Sequence, residues 1–204
     1  MEKDVVEKMT HMSKILSQML ELTFQVFRRL TEESIQEVED VRKEVQRVSS
    51  DLTRFLIDKS GSGGEVREGV KPLLSMASSF DRMAYNIDGI VHQVKVMAKE
   101  SIPFSDRAIR EINDIFQEAM DLLESLPDLI LTQNKHLAQH MGEQVRSVFK
   151  MANGYSEGHE ERLIQGVCMP RSSPIYLGIL ESLKGVLVHT LEVSGKIVSV
   201  ASKS

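Results

Sequence analysis

The chain has 204 residues, of which 41% are apolar, so it can bury the core of one domain or of two small domains packed together. Its formal net charge of −5, with acidic and basic residues interspersed, argues against a general nucleic-acid binding protein, which needs a basic face. The single cysteine, Cys168, excludes an intrachain disulfide framework and fits a reducing cytoplasm.

The first third of the chain predicts two amphipathic helices. One runs from about Glu2 to Leu30, because apolar residues recur there at alternating spacings of four and three, as on the buried face of a bundle helix. Its predicted inward residues are Val5, Met9, Met12, Leu16, Met19, Thr23, Val26 and Leu30. Thr31 and Ser34 supply capping chemistry for a second helix. The inward residues of that helix are Ile35, Val38, Val41, Val45, Val48, Leu52 and Leu56.

The segment Gly61–Gly64 interrupts the helical pattern. We interpret it as a flexible linker, because it lacks both the Lys-Ser/Thr ending of a phosphate-binding P-loop and a preceding strand. A third helix is predicted from about Glu65 to Lys99, with Pro72 either near its start or kinking its first turns. Its inward residues form the most regular stripe in the chain: Leu73, Met76, Phe80, Met83, Ile87, Ile90, Val94 and Met97.

Three further helices are predicted in the second half of the chain. Ser105 is a suitable N-cap for the fourth helix, which we expect to bend or end near Pro127. The fifth spans roughly residues 132–165, and the sixth begins with Ser173 as N-cap and Pro174 at the first helical position. The inward residues of these three helices are Ile109, Ile112, Phe116, Met120 and Leu123; Leu137, Met141, Val145, Val148 and Ala152; and Ile179, Leu183, Val186, Thr190, Val193, Ile197 and Val200.

Three helices, a break and three more helices suggest an internal duplication. Short breaks between long amphipathic helices favour antiparallel neighbours. We therefore predict an all-α protein of two three-helix bundles packed side by side, one formed by residues 1–100 and the other by residues 101–204.

Two segments resemble a known family. Residues 74–90, centred on Phe80-Asp81-Arg82-Met83-Ala84-Tyr85-Asn86, resemble a Leu-Glu-Arg-Ile-Gly-Asp-His type of motif in the third helix of PhoU and PhoU-like proteins. Residues 159–189 resemble the closing segment of the PhoU-like domain of bacterial sodium-dependent phosphate cotransporters. The resemblance is closest to that cytoplasmic domain, and it implies a six-helix PhoU-like architecture.

The third-helix motif is only partly present. The family's metal ligands are acidic residues four apart, a spacing that stacks two carboxylates on one helical face so that both can bind one cation. Asp81 and Arg82 match the motif, whereas Tyr85 replaces the second acid and Asn86 follows it. These four residues are the remnant of the family motif in this helix.

The sixth helix departs from the family in the same way. Lys184 and Val188 occupy the positions of its two acids, and only His189 is retained. Because both motifs are broken, we expect no cofactor, and the iron or zinc clusters of some family members are not expected here.

A metal site built from other ligands is the alternative. His136 and His140 lie four apart, a spacing at which two imidazoles can bind one metal ion, but no third ligand is implied. We favour a solvated face of the fifth helix for this pair. Asp81 and His189 complete the set of weak candidate ligands.

Three other polar features have a structural and a functional interpretation. The acidic series of the fourth helix favours a solvated face over a divalent-cation site or a docking surface; it comprises Glu111, Asp114, Glu118 and Asp121. For Asp81 and Arg82 we favour an interhelical salt bridge over a remnant anion or metal site. Cys168 is interpreted as an incidental loop cysteine, although His159 and His189 are conceivable partners for a reactive thiol.

The resemblance implies a non-enzymatic regulatory or accessory role in inorganic phosphate transport. Such a protein would act by docking to a membrane phosphate transporter or its signalling partner, and we expect a homodimer formed through helix faces. No apolar run approaches the roughly 20 residues that cross a bilayer. We therefore expect a cytoplasmic protein that reaches the inner face of the membrane through a transporter. A metal-binding bundle and a coiled-coil-like scaffold remain the alternatives.

Overall fold

The computed structural model describes residues 1–29, 31–60 and 69–202. They form α1 (Lys3–Arg28), α2 (Glu32–Ser60), α3 (Val70–Lys99), α4 (Asp106–Thr132), α5 (Lys135–Ile164) and α6 (Ser173–Ala201), with a 3₁₀ turn at Pro170–Ser172. Within those ranges there is no strand, and the predicted all-α, six-helix class is confirmed. Leu30, the predicted linker and the predicted start of the third helix at residues 65–68 lie outside the described residues. None of the described helices combines the length and the hydropathy that crossing a bilayer requires.

The helix ends follow local chemistry in most places. The Ser105 hydroxyl accepts the Ala108 N–H at 3.2 Å, as predicted for the N-cap of α4. The start of α5 lies slightly later than predicted, where the Asn134 side chain accepts the N–H groups of His136 and Leu137 at 2.9 and 3.3 Å. Ser173 is not the N-cap of α6, as predicted, but its first residue, and its hydroxyl contacts His159 of α5.

The fourth helix does not end near Pro127. It continues to Thr132 and stops where Gln133 adopts a left-handed conformation, with φ of 52°. Pro127 is itself buried, and the turn that follows it places Leu129 and Ile130 in the core. Burial of such side chains contributes about 1.5–3 kcal/mol each, which offsets the hydrogen bond that proline removes.

The six helices pack as two sets of three around one continuous core. In the first set α1, α2 and α3 contact each other, and in the second set α4, α5 and α6 do the same. The sets meet through α1 against α4 and through α3 against α6, the most extensive helix–helix interface among the described residues. The predicted side-by-side arrangement is therefore observed, and the division into two domains at residue 100 stays a prediction.

The predicted stripes supply most of the core, with one error in α4. The inward residues of α1 from Val5 to Val26 are buried, as are those of α3 from Met76 to Val94. Ile109 is 38% exposed, so its predicted inward position is wrong. The buried face of α4 is broader than predicted because this helix contacts α1, α5 and α6 together. The additional buried residues of α4 are Ala108, Glu111, Ile115, Ala119, Leu122, Leu126, Pro127, Leu129 and Ile130.

Helices α3 and α6 run antiparallel in a regular register. The Ser79 hydroxyl of α3 donates to the Glu192 carboxylate of α6 at 2.9 Å, whereas further along α3 it is Asn86 that meets Gly185. Beside this polar contact line, apolar side chains spaced four and three residues apart fill the inner seam. A Cβ atom at Gly185 would lie 2.2 Å from Asn86 Oδ1, so a larger residue here would force the Asn86 side chain to move.

This contact predicts energetic coupling between Gly185 and Asn86. In an Asn86→Ala background, Gly185→Ala should raise the free energy of unfolding by about 1 kcal/mol, because alanine favours the helix over glycine. With Asn86 present, the same change should stabilise less or destabilise, since the amide must move and release its 2.7 Å bond to the Arg82 carbonyl. Urea unfolding of the four proteins measures the coupling. Equal effects in both backgrounds would contradict the close approach.

Candidate functional site

A buried carboxylate lies where α4, α5 and α6 meet. Glu111 of α4 is 5% exposed, and its oxygens accept hydrogen bonds from three side chains. The Tyr176 hydroxyl donates at 2.6 Å, the two terminal nitrogens of Arg162 at 2.7 and 3.1 Å, and Arg107 Nε at 2.9 Å. The predicted solvated acidic face is therefore wrong at Glu111, while Asp114 remains at the surface and accepts a bond from the Tyr155 hydroxyl at 2.8 Å.

Arg162 and Glu111 form a bidentate salt bridge. Each terminal guanidinium nitrogen bonds to a different carboxylate oxygen, a geometry that adds directionality to the charge attraction. Arg162 is itself buried, and its Nε has no hydrogen-bond partner among the described residues. The arginine thus depends on Glu111 for compensation of its charge.

A histidine extends this network to the start of α6. His159 Nε2 lies 2.6 Å from Ser173 Oγ, and the imidazole stacks on the Tyr176 ring with centroids 4.4 Å apart. The Ser173 hydroxyl therefore contacts His159 and does not cap α6. His159 Nδ1 is buried without a partner among the described residues, so no carboxylate orients the ring as in a nucleophilic triad.

Burial and hydrogen bonding set the charges of these groups. Burial opposes ionisation of Glu111, but the bonds from Tyr176, Arg162 and Arg107 outweigh it and lower its pKa. Burial, followed by the bond to Glu111, raises the pKa of the Tyr176 hydroxyl well above its ordinary value. Burial, assisted by the neighbouring Arg162 charge, lowers the pKa of His159. At neutral pH the network therefore contains one carboxylate, the arginines, a protonated tyrosine and a neutral histidine.

Cys168 lies next to this network. Cys168 is half-buried in the loop after α5, where its N–H donates to the Arg162 carbonyl at 3.3 Å. The structure pairs His159 with Ser173 instead of giving the cysteine a base. The network ties α4, the end of α5 and the start of α6 together.

The family-motif positions lie elsewhere, on the outer face of α3 and α6. Asp81 is exposed and accepts a hydrogen bond from the Ser49 hydroxyl of α2, so the predicted interhelical salt bridge is absent from the described residues. Arg82 and Tyr85 are exposed, Tyr85 by 79%, and Asn86 donates to the Arg82 carbonyl.

On α6, His189 contacts a carboxylate of its own helix. Its Nδ1 lies 3.0 Å from Glu192 Oε2, and Ser79 of α3 donates to the same oxygen. Lys184 donates to Asn153 of α5 at 3.1 Å and to Glu181 at 2.5 Å. Ser79 meets Glu192 and Asn86 meets Gly185 across the α3–α6 interface. The same register places Arg82 opposite His189, so these two residues of the predicted motif remnant lie at the same level of the two helices.

The weak candidate metal ligands are not brought together. His136 and His140 are exposed near the start of α5, whereas Asp81 contacts α2 from the side of α3. Among the described residues, no three histidine, cysteine, aspartate or glutamate side chains form a group that could hold a metal ion. Metal binding by these four residues stays an untested alternative.

Comparisons with known proteins identify the architecture. Residues 9–94 match the sequence model of the PhoU domain. PhoU from Pseudomonas aeruginosa superposes with a TM-score of 0.87 at 9% sequence identity, covering 99% of this chain and 97% of that one. The chain has a PhoU fold. A PhoU-like protein from Shewanella oneidensis MR-1 shares this fold with a TM-score of 0.62 at 11% identity, covering 98% of this chain and all of the other. No curated protein matches the sequence significantly.

These comparisons confirm the predicted PhoU-like architecture. The finer resemblance to the cytoplasmic domain of sodium-dependent phosphate cotransporters stays a prediction. The PhoU-domain match covers α1 to most of α3, while the Glu111 network belongs to the other half of the PhoU fold.

The buried pair predicts a large effect of Glu111→Ala. Removal of the carboxylate leaves the buried Arg162 charge unpaired, so the free energy of unfolding should fall by about 3–5 kcal/mol. Asp114→Ala removes an exposed acceptor from the same helix and should cost about 1 kcal/mol or less. Urea denaturation followed by circular dichroism compares the two. A small effect of Glu111→Ala would mean that the pair is solvated.

The buried histidine predicts loss of stability in mild acid. Its folded-state pKa lies below the ordinary value of about 6.5, so protonation favours the unfolded chain. The contribution of neutral His159 is complete above that pH and is lost progressively below it. The carboxylate of Glu111, with its lowered pKa, adds a further loss only below its ordinary value of about 4.5.

Unfolding free energies measured between pH 7 and pH 5 test this assignment. His159→Gln keeps a polar partner for Ser173 but does not titrate, so its stability should fall less steeply with pH than that of the wild type. His140→Gln, at an exposed position of the same helix, should keep the wild-type slope. Identical slopes for the wild type and His159→Gln would refute the role of His159.

Proposed function

We propose that this protein regulates inorganic phosphate transport without catalysing a reaction, by docking to a membrane phosphate transporter or its signalling partner. The observation that carries the proposal is the PhoU fold over almost the whole chain, together with the PhoU-domain match of residues 9–94. Regulation of phosphate transport is the role of the PhoU family. In this proposal the protein works at the cytoplasmic face of the membrane.

The outer face of α3 and α6 is our candidate for the docking surface. Tyr85 is 79% exposed there, and Arg82 is exposed without an ion pair among the described residues. Tyrosine and arginine are enriched among the few interface residues that dominate binding free energy. Val188 of α6 is 38% exposed and adds apolar surface. Of the four positions that carry metal-binding acids in the family, Asp81 is retained, whereas Tyr85, Lys184 and Val188 replace the other three with groups suited to protein contact.

Tyr85→Ala tests this surface directly. It should weaken co-purification with the phosphate transporter of the source organism by at least about tenfold while leaving unfolding free energy nearly unchanged, because the side chain is exposed. Leu131→Ala, at an exposed position at the end of α4, is the matched control and should bind like the wild type. Docking should persist after treatment with a metal chelator. Loss of docking on chelation would favour the metal-binding alternative, and absence of any transporter binding by the wild type would refute the proposal.

A further inference from the structure

A groove opens at the end of the molecule where α1 and α3 finish and α4 begins. Its volume is about 420 Å³, and pockets that hold small organic ligands measure roughly 300–1,000 Å³. Its apolar lining residues are Phe27, Met97, Ile102, Pro103, Phe104 and Ile109. They come from α1, α3, the connection between α3 and α4, and the first turn of α4. We call this cavity the α1–α4 groove.

The aromatic part of the groove wall is held in position by the core. Phe27 is 8% exposed, and its ring packs on those of Phe116 and Phe104 with centroids 5.8 and 6.4 Å apart. The Phe104 ring meets the Tyr176 ring edge-on at 6.2 Å, and Tyr176 is bonded to Glu111. Aromatic rings favour offset-stacked or edge-on contacts with a further ring at about 4.5–7 Å. Because these rings are positioned in advance, a flat apolar ligand would bind with little loss of conformational entropy.

Arg28 is the charged residue among the described residues that line the groove. Its side chain is exposed, with the guanidinium carbon 5.6 Å from the Phe24 ring centroid, and it has no carboxylate partner in the described part of the chain. Two acids lie close to the groove but do not line it. Glu100 pairs with Arg171 at 3.3 Å, and Asp106 is exposed in the first turn of α4. The charge in the groove wall is therefore positive, which favours an anionic group on a ligand.

One polar group of the groove wall is buried without a partner. Asn113 of α4 lines the groove, and its Oδ1 atom is buried and accepts no hydrogen bond from the described residues. A buried acceptor in this state is unfavourable, so a ligand that satisfies it gains binding free energy. Rotation of the amide about its Cβ–Cγ bond breaks no hydrogen bond of this oxygen and turns it toward the groove. Asn113 therefore supplies an acceptor for an N–H or O–H group of a ligand.

We infer that the α1–α4 groove binds a small organic anion that has a flat apolar body and a hydrogen-bond donor. The body would lie against Phe27 and Phe104, the acidic group at Arg28 and the donor at Asn113. Aromatic carboxylates, phosphates and sulfonates that carry an N–H or O–H group have this chemistry. The groove lies about three helical turns beyond Tyr85 along α3, so the inference is independent of the proposed docking surface.

Isothermal titration of the native protein with 1-anilinonaphthalene-8-sulfonate tests the site, because this probe combines aromatic rings, an N–H group and a sulfonate. We expect a single saturable site per chain. Ile109→Trp should fill the groove and abolish binding, whereas Leu131→Trp, at an exposed position at the other end of α4, should bind like the wild type. Both positions are exposed, so neither change should alter the free energy of unfolding much. No binding by the wild type, or normal binding by Ile109→Trp, would overturn the inference.

A second probe, N-phenyl-1-naphthylamine, has the same rings and N–H group but lacks the sulfonate. It should bind the wild type at least about tenfold more weakly, and Arg28→Gln should remove this difference between the probes. Arg54→Gln, at an exposed position of α2, should keep it. Asn113→Leu should weaken both probes by about fivefold, and an unchanged affinity would contradict the role of its amide. Equal affinities of the two probes for the wild type, or displacement of the sulfonate by equimolar inorganic phosphate, would overturn the assignment of an organic anion.

Discussion

The Glu111–Arg162 pair is the interaction on which the second half of the molecule depends. Removing two charges from water costs several kcal/mol, and the pair is tolerated because the Glu111 carboxylate accepts bonds from Tyr176, from Arg107 and from both terminal nitrogens of Arg162. The pair constrains the relative positions of α4, α5 and α6, because Arg162 of α5 and Tyr176 of α6 both bond to the same carboxylate of α4. Apolar packing tolerates exchange of side chains of similar volume, so it specifies the positions of these helices less strictly than the polar contacts do. The polar network therefore supplies specificity where the hydrophobic core supplies stability.

The network also explains why the segment after α5 keeps a defined shape without regular secondary structure. Arg162 is held by its side chain in the core, and its carbonyl then accepts the N–H groups of Val167 and Cys168. His159 and Ser173 close the same segment from its two sides. Residues 159–189, one of the two segments that resemble the family, thus supply His159, Arg162 and Tyr176 to the buried site, while Glu111 comes from α4.

Helix periodicity was sufficient to predict the six helices and most of the core. The alternating spacings of four and three describe the α3–α6 seam directly, because an antiparallel helix pair needs apolar residues at those intervals and little else. This tolerance also fits the retention of the PhoU fold at 9% identity. The buried network was missed because an acidic series on a helix is usually solvated. One signal was available: Glu111 shares a helical face with Ala108, Ile112 and Ile115. Its partners Arg162 and Tyr176 lie 51 and 65 positions away, and no local pattern predicts such contacts.

The α3–α6 interface has a consequence for how the chain acquires its structure. It joins residues far apart in sequence, such as Ser79 and Glu192, which are separated by 113 positions. Closing so long a loop costs conformational entropy before any contact is gained, so topology slows the folding of such an arrangement. The first three helices leave the ribosome with the inner stripe of α3 uncovered until α6 has been synthesised. During that interval the nascent chain exposes the apolar residues of α3 from Met76 to Val94, and exposed apolar surface of this kind makes folding intermediates prone to aggregation.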